Sequence, residues 1–289
     1  MKNLTLLSSI GSVLLAAAPA SHAVITAYAV DFNGGASSFI GNFLAANDNS
    51  TTSFAWGAAS GVGGGGGLDV TNAGQDNIFY RPTPESDGTS AFNMAGLSTG
   101  QGFRNSADFR WSNTTAVDLT VINIGFSVAH SSVSAMSSVG SMGGSVIRNG
   151  NTDVNIRLRT GNGNVQTLAF GQSSLTAGSW YRLTYDVVKS TTTDTFNTIV
   201  TLYSIGADGL AAPVLFNDGT KNITLAGGTT AAALYADADA FSVYDIRNVN
   251  GTGIAQVDNL SVSFLVPEPT APALLALGGV ALGLRRRRR

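Results

Sequence analysis

Between residues 24 and 266 the apolar residues fall on every second position again and again, and almost nowhere at the spacing of a helix. In Tyr181-Arg182-Leu183-Thr184-Tyr185-Asp186-Val187 the rings and aliphatic chains hold one parity while Arg, Thr and Asp hold the other. Val154, Ile156 and Leu158 alternate in the same way with Asn155, Arg157 and Arg159. Successive side chains of a strand point to opposite faces, so each run is a strand with one buried face. Asn149-Gly150 lies between residues 145–148 and 153–159, and it suits a tight hairpin turn because both central positions of that turn need a positive φ. Gly161-Asn162-Gly163-Asn164 then leads into residues 165–170 and completes a three-stranded antiparallel meander. Further strands are expected at 25–32, 116–128, 198–205, 241–246 and 256–265, separated by clusters of Gly, Asn, Asp and Ser. Many strands joined by turn-rich loops predict an all-β fold, a single antiparallel β-sandwich spanning residues 24–265.

Composition narrows the chemistry. The 289 residues include 35 glycines, 2 histidines and no cysteine. Disulfides, thiolate nucleophiles and Cys-ligated zinc are therefore excluded. His130 is the one imidazole of the body, too few for catalytic zinc, and no Gly-x-Ser-x-Gly elbow accompanies it. Residues 24–266 hold 10 Lys and Arg against 17 Asp and Glu. An acidic body without a basic stripe is not expected to take nucleic acid as a partner. The run Gly61-Val62-Gly63 to Gly67 lacks the Lys-Ser/Thr of a phosphate loop and reads as a flexible connection.

The two ends read as addresses. Lys2, an apolar run from 4 to 18 and the small residues before Ser21-His22-Ala23 make residues 1–23 a secretory signal peptide, cut after Ala23 with Ala20 as the close competitor. At the other end, Val266-Pro267-Glu268-Pro269 precedes an uncharged stretch and five arginines. The 15 uncharged positions reach about 22 Å, short of the roughly 30 Å hydrocarbon core. Pro272 cuts the uninterrupted short hydrophobic helix to residues 273–284. Such a segment is a marginal anchor, and the arginines hold its end on the cytoplasmic side. Pro267-Glu268-Pro269, the apolar stretch with Gly278-Gly279, and Arg285, Arg286, Arg287, Arg288 and Arg289 together resemble the PEP-CTERM protein-sorting domain over residues 266–289. The resemblance implies recognition by the membrane enzyme exosortase after passage through the export machinery. It also implies that the C-terminal segment sits in the inner membrane of a Gram-negative bacterium before processing, and that the body reaches the cell surface or extracellular matrix. Pro267, Glu268, Pro269 and the five arginines would be sorting residues with no catalytic part.

The stretch from Leu175 through Gly178-Ser179-Trp180-Tyr181 to Asp186 resembles a strand of the laminin-G and concanavalin A-like jelly rolls. Val257-Asp258-Asn259-Leu260-Ser261-Val262 is similar to their closing strand. The resemblance implies a jelly roll and fixes no activity. Glycoside hydrolysis needs two carboxylates, one usually a glutamate. The body holds the single Glu85, and the Glu-x-Asp-x-x-Glu motif of the retaining glucanases with this fold is missing. No catalytic residue is expected, and the body reads as non-enzymatic.

Two ligand possibilities remain. Asp258 shares parity with Leu260, Val262 and Phe264, so its charge leans towards the apolar side and calls for a partner. Asp31 ends the first expected strand, which in jelly rolls often lies beside the last. A structural calcium held partly by Asp31 and Asp258 follows, since calcium takes carboxylate and carbonyl oxygens. Asn47-Asp48-Asn49 and Asp237-Ala238-Asp239 read as ordinary turns. Sugar binding would use aromatic platforms, and Trp56, Trp111 and Trp180 are the candidates, each equally at home in a core. The leading expectation is an exported surface or matrix protein that binds polysaccharide, with a polysaccharide hydrolase or lyase and a self-assembling structural matrix component as alternatives.

Overall fold

The alternation closes into two antiparallel sheets in the computed structural model. It describes residues 22–35, 43–47, 54–70, 78–82, 92–112, 119–128, 140–149, 153–160, 164–169, 175–225, 229–246 and 254–268. One compact unit is residues 24–266; the other joins 1–23 with 267–289, and of it only residues 22, 23, 267 and 268 are described.

The strands in chain order are β1 (His22–Val30), β2 (Phe43–Asn47), β3 (Phe54–Gly57), β4 (Gly67–Val70), β5 (Ile78–Pro82), β6 (Gly102–Ser112), β7 (Leu119–Ser127) and β8 (Ser141–Asn149). They continue with β9 (Asp153–Thr160), β10 (Asn164–Ala169), β11 (Trp180–Lys189), β12 (Phe196–Gly206), β13 (Val214–Leu225), β14 (Phe241–Ile246) and β15 (Ile254–Pro267). One short helix, α1 (Thr229–Tyr235), precedes β14. The first sheet has the order β13-β12-β11-β6-β15-β4-β3, with β1 also on β15; the second has the order β10-β9-β8-β7-β14-β5-β2. The first and last strands therefore do lie side by side. The expected meander is present as β8-β9-β10.

The core lies between the sheets. From the first sheet, Phe103, Ala107, Phe109, Leu183, Tyr185 and Val187 point inward; from the second, Ile122, Ile124, Phe126, Met142, Val146 and Ile156 meet them. Phe103 and Phe126 bring their ring centroids to 6.1 Å across the gap, with Phe92 5.4 Å and 5.9 Å from the two. Burial of each such side chain is worth about 1.5–3 kcal/mol. The sheets approach so closely at Gly144 that a Cβ there would lie 2.8 Å from both Val200 methyl groups. Polar ties cross the core as well: Asn105, fully buried, donates from Nδ2 to the Gly125 carbonyl at 2.9 Å, and the Tyr244 hydroxyl reaches the Ser261 carbonyl at 3.5 Å.

The glycine-rich segment differs from its expectation as a flexible connection. Residues 62–64 form a 3-10 turn closed by Gly61 N–H on the Gly65 carbonyl at 2.8 Å, and Gly63 N–H donates to the Asp208 carbonyl at 2.7 Å. A Cβ on Gly67 would stand 2.6 Å from the backbone of Gly61. The glycines serve close backbone packing, which repeated glycine in a sequence does not distinguish from looseness.

Candidate functional site

The outward face of the first sheet is where the polar parity of its strands collects. On β6 that parity holds Arg104, Ser106, Asp108 and Arg110, and on β11 it holds Trp180, Arg182, Thr184 and Asp186. The register sets Arg182 directly opposite Asp108 and Asp186 opposite Arg104. Both pairs close as two-pronged ion pairs. Arg182 donates from Nε and Nη2 to Asp108 at 2.6 and 2.8 Å, and Arg104 donates to Asp186 at 2.6 and 2.7 Å. Arg110 donates to the Gln256 side-chain oxygen, Gln256 passes a hydrogen bond to Asp69 at 2.6 Å, and Ser60 completes the Asp69 carboxylate at 2.7 Å.

A bulge in β15 decides how this network meets the ligand side. The register shifts between Asp258 and Ser261, around Asn259 at φ 49°. Such a bulge inserts an unpaired residue and inverts parity beyond it. Asp258 consequently stands opposite Asp108, and Ser261 opposite Ser106, on the outward face. The expectation that Asp258 leans to the apolar side with Leu260 and Val262 is thus corrected, because simple alternation takes no account of a bulge. Asp258 is nevertheless only 2% exposed. Its carboxylate accepts Val62 N–H at 2.8 Å and Asn259 N–H at 2.7 Å. Asn259 in turn donates from its side chain to Asp108 at 2.9 Å. Burial pushes the Asp258 carboxyl up to about 7, opposed by the two backbone N–H bonds and helped by the charges of Asp108 and Asp31.

Beside the bulge opens a cavity of about 440 Å³, lined by Thr26, Ala29, Val30 and Asp31 from the first strand and its end, Ser106 and Arg182 from the sheet, and residues 259–261. Arg182 keeps 35% of its side chain exposed there, while Asp108 behind it is fully buried. Phe32, which follows the lining residue Asp31, has φ 53° and is completely buried. A left-handed backbone at a bulky residue costs about 1–3 kcal/mol and persists only where its surroundings hold it. Trp56 Nε1 donates to the Phe32 carbonyl at 2.9 Å, and Asn33 accepts Gly66 N–H at 2.9 Å. Of the three left-handed residues other than glycine among the described residues, Asn259 lines this cavity and Phe32 follows its lining residue Asp31.

The structure brings Asp31 and Asp258 into the same electrostatic neighbourhood, although among the described residues no group of three or more His, Cys, Asp or Glu is placed to hold a metal. The tryptophans go elsewhere. Trp111, 3% exposed, is part of the core; Trp180, 1% exposed, lies on the outward face under the Arg110 guanidinium, 5.1 Å from its centroid; Trp56 is half-buried against the core. Trp111 and Trp180 thus offer no ring face to a sugar. Pro267 ends β15 and is exposed, as is Glu268. Pro269, Arg285, Arg286, Arg287, Arg288 and Arg289 lie outside the described residues, as do the expected signal peptide up to residue 21, Glu85 and His130. Among the described residues no helix is long and apolar enough to cross a membrane. Sequence reasoning missed Arg182, Asp108, Asn259 and the three hydroxyl residues of the cavity. The polar parity of Arg182 was legible, but the assembly depends on the register of β6 with β11 and β15.

No protein-family model and no curated protein sequence matches the chain. Among solved structures it is similar to a carbohydrate esterase from Shiga toxin-encoding bacteriophage phi24B, with 16% identity over 85% of this chain and 100% of that one, at a TM-score of 0.50. It is similar as well to a marine alginate lyase from Aplysia kurodai, with 8% identity over 82% and 98% of the two chains and a TM-score of 0.50. Likeness at this identity shows the fold. It also overturns the expectation that the body is not an enzyme: this fold houses an esterase and a lyase, whereas the missing glutamate motif excludes one class of glucanase only.

Proposed function

We propose that this chain is an exported protein that recognises polysaccharide at the cavity beside the β15 bulge. The observation that carries the reading is the lining itself. Thr26, Ser106 and Ser261 offer hydroxyls that both donate and accept, Asn259 an amide, Asp31 a carboxylate, and Arg182 the N–H groups not spent on Asp108. That dense, mixed set suits a ligand made of hydroxyls, and the volume lies within the roughly 300–1,000 Å³ of small-molecule sites. The esterase and the alginate lyase that share the fold act on carbohydrate by their names, which agrees with the reading. The jelly-roll and concanavalin A-like form belongs to the same proposal, as do the PEP-CTERM route, processing by exosortase at Pro267-Glu268-Pro269, and delivery to the cell surface or matrix.

A structural calcium between Asp31 and Asp258 is a further part of it. The support is the repulsion that Asp31 exerts on the Asp258 carboxyl, which a divalent cation would relieve. Melting of the full-length chain in calcium and in chelator tests the point. A rise with calcium that Asp258→Asn abolishes is expected; equal melting in both conditions overturns it.

Processing of the polysaccharide is the second reading, and the esterase and the lyase that share the fold agree with it. The test of the main reading is titration of the purified full-length chain with a panel of bacterial and algal polysaccharides, following both binding and release of product. Saturable binding that Thr26→Trp weakens, by filling the cavity from an exposed strand position, is expected. Binding unaffected by that substitution contradicts the assignment of the site.

A further inference from the structure

We propose that the cavity selects neutral sugar units and turns away uronic and sulfated ones, and that Asp31 sets this preference. The inference rests on the reading of the cavity as a glycan site and names the class of glycan.

Among the described residues Arg182 is the one cation of the lining, and its charge is already answered. Two of its N–H groups are held by Asp108 at 2.6 and 2.8 Å, on a carboxylate with no exposure to water. A guanidinium has five N–H groups in a fixed fork. The three that remain face a neutral pair, so they donate hydrogen bonds without offering net positive charge to an anion. In the calcium-free chain Asp31 has no such compensation among the described residues. Its carboxylate is exposed, accepts the N–H of Asn33 at 3.1 Å, and belongs to neither of the ion pairs among the described residues.

The ground behind the lining is acidic too. Asp258, next in the chain to Asn259, accepts the N–H groups of Val62 and Asn259 and belongs to neither ion pair of the described residues. A carboxylate or sulfate on a bound sugar would therefore enter a field of its own sign. A neutral sugar would lose nothing, because hydroxyls can donate to Asp31 and accept from Arg182. At the separations a sugar substituent would have within such a cavity, one unit of like charge is worth about tenfold in affinity.

The experiment compares matched oligosaccharides of equal length and linkage, glucose against glucuronate, galactose against galacturonate and mannose against mannuronate. Each is titrated in chelator into the full-length chain and into Asp31→Asn. The asparagine keeps an oxygen for the Asn33 N–H, so the turn is preserved, and melting confirms it. The expected result is neutral binding about tenfold or more tighter than that of the uronate partner, with the ratio falling to about threefold or less in Asp31→Asn. A uronate bound as tightly as its neutral partner, or a ratio unmoved by Asp31→Asn, overturns the selectivity while leaving the glycan reading in place. Saturation by neither series in either protein overturns the glycan reading and the selectivity with it.

Discussion

On the outward face of the first sheet, Arg104 and Arg182 reach Asp186 and Asp108, and Asn259 adds a third hydrogen bond to Asp108. On the outward face of the second sheet, Asn123, Ser145 and Asp245 line up across β7, β8 and β14 beside Val243, Phe241 and Ile147, all buried. There Asn123 is fully buried, and neither atom of its amide has a hydrogen-bond partner among the described residues. The first face thus pairs Arg104 and Arg182 with carboxylates and keeps an open cavity beside them, whereas the second hides polar groups and leaves at least one amide unanswered. The lesson is that burial alone does not mark a site. What distinguishes the first face is polar capacity left over after its internal partners are served.

The largest expected effect breaks the self-sufficiency of the first face. Asp108→Ala leaves Arg182 without its carboxylate and should cost about 2–4 kcal/mol in denaturant unfolding, at the lower end of the buried-pair range because Arg182 is a third exposed. Replacing both residues by Leu and Met should cost less than Asp108→Ala, and an equal or larger loss would mean that the pair stabilises by its charge and not merely by mutual satisfaction.

The pH dependence of Asp258 comes next. Its carboxyl is raised to about 7 in the fold, above the ordinary carboxylate range, so the folded chain holds this proton more tightly than the unfolded one. Its contribution is complete below pH about 4, is lost as pH rises to about 7, and is flat above. Asp258→Asn should remove that slope and raise stability at pH 8 relative to the parent by on the order of 2 kcal/mol. Parallel stability curves for the two proteins, measured in chelator, would contradict the assignment.

A smaller contrast separates two buried asparagines. Asn105→Leu breaks the bond to the Gly125 carbonyl and should cost about 1–2 kcal/mol, while Asn123→Leu should be neutral or stabilising by up to about 1 kcal/mol, since no bond is lost. Equal losses at both positions would erase the difference drawn between a satisfied and an unsatisfied amide. Smallest of all, Asp31→Asn should change stability by less than about 0.5 kcal/mol, because the position is exposed and its turn bond is kept.

Much of this fold was legible in the alternation. Residues 241–246 were read at their observed bounds, and β9, β11, β12 and β15 emerged from runs that set an apolar parity against the core; β11 was read as half-buried, but its polar parity is largely buried too. The central strand β6 was not read, since its inward positions include Asn105 and Ala107, which dilute the apolar signal. The short β2, β3, β4 and β5 carry too few residues for alternation to stand out, and the exposed start of β13 breaks the pattern in that strand. Of the site, Asp31 and Asp258 were legible as carboxylates on neighbouring first and last strands. The side of the sheet on which Asp258 lies was not, because a single left-handed residue, Asn259, inverts the parity. Arg182 and Asp108 lie 74 positions apart in sequence, and only the register of two strands joins them.

The most direct test of the central claim is a map of backbone amide chemical shifts during titration of the full-length chain with a polysaccharide that binds it. The account predicts movement concentrated at residues 26–31 and 259–261, with Asn123, Ser145 and Asp245 unmoved. Movement centred on β7, β8 and β14, with the β15 bulge silent, would contradict it and place recognition on the second sheet.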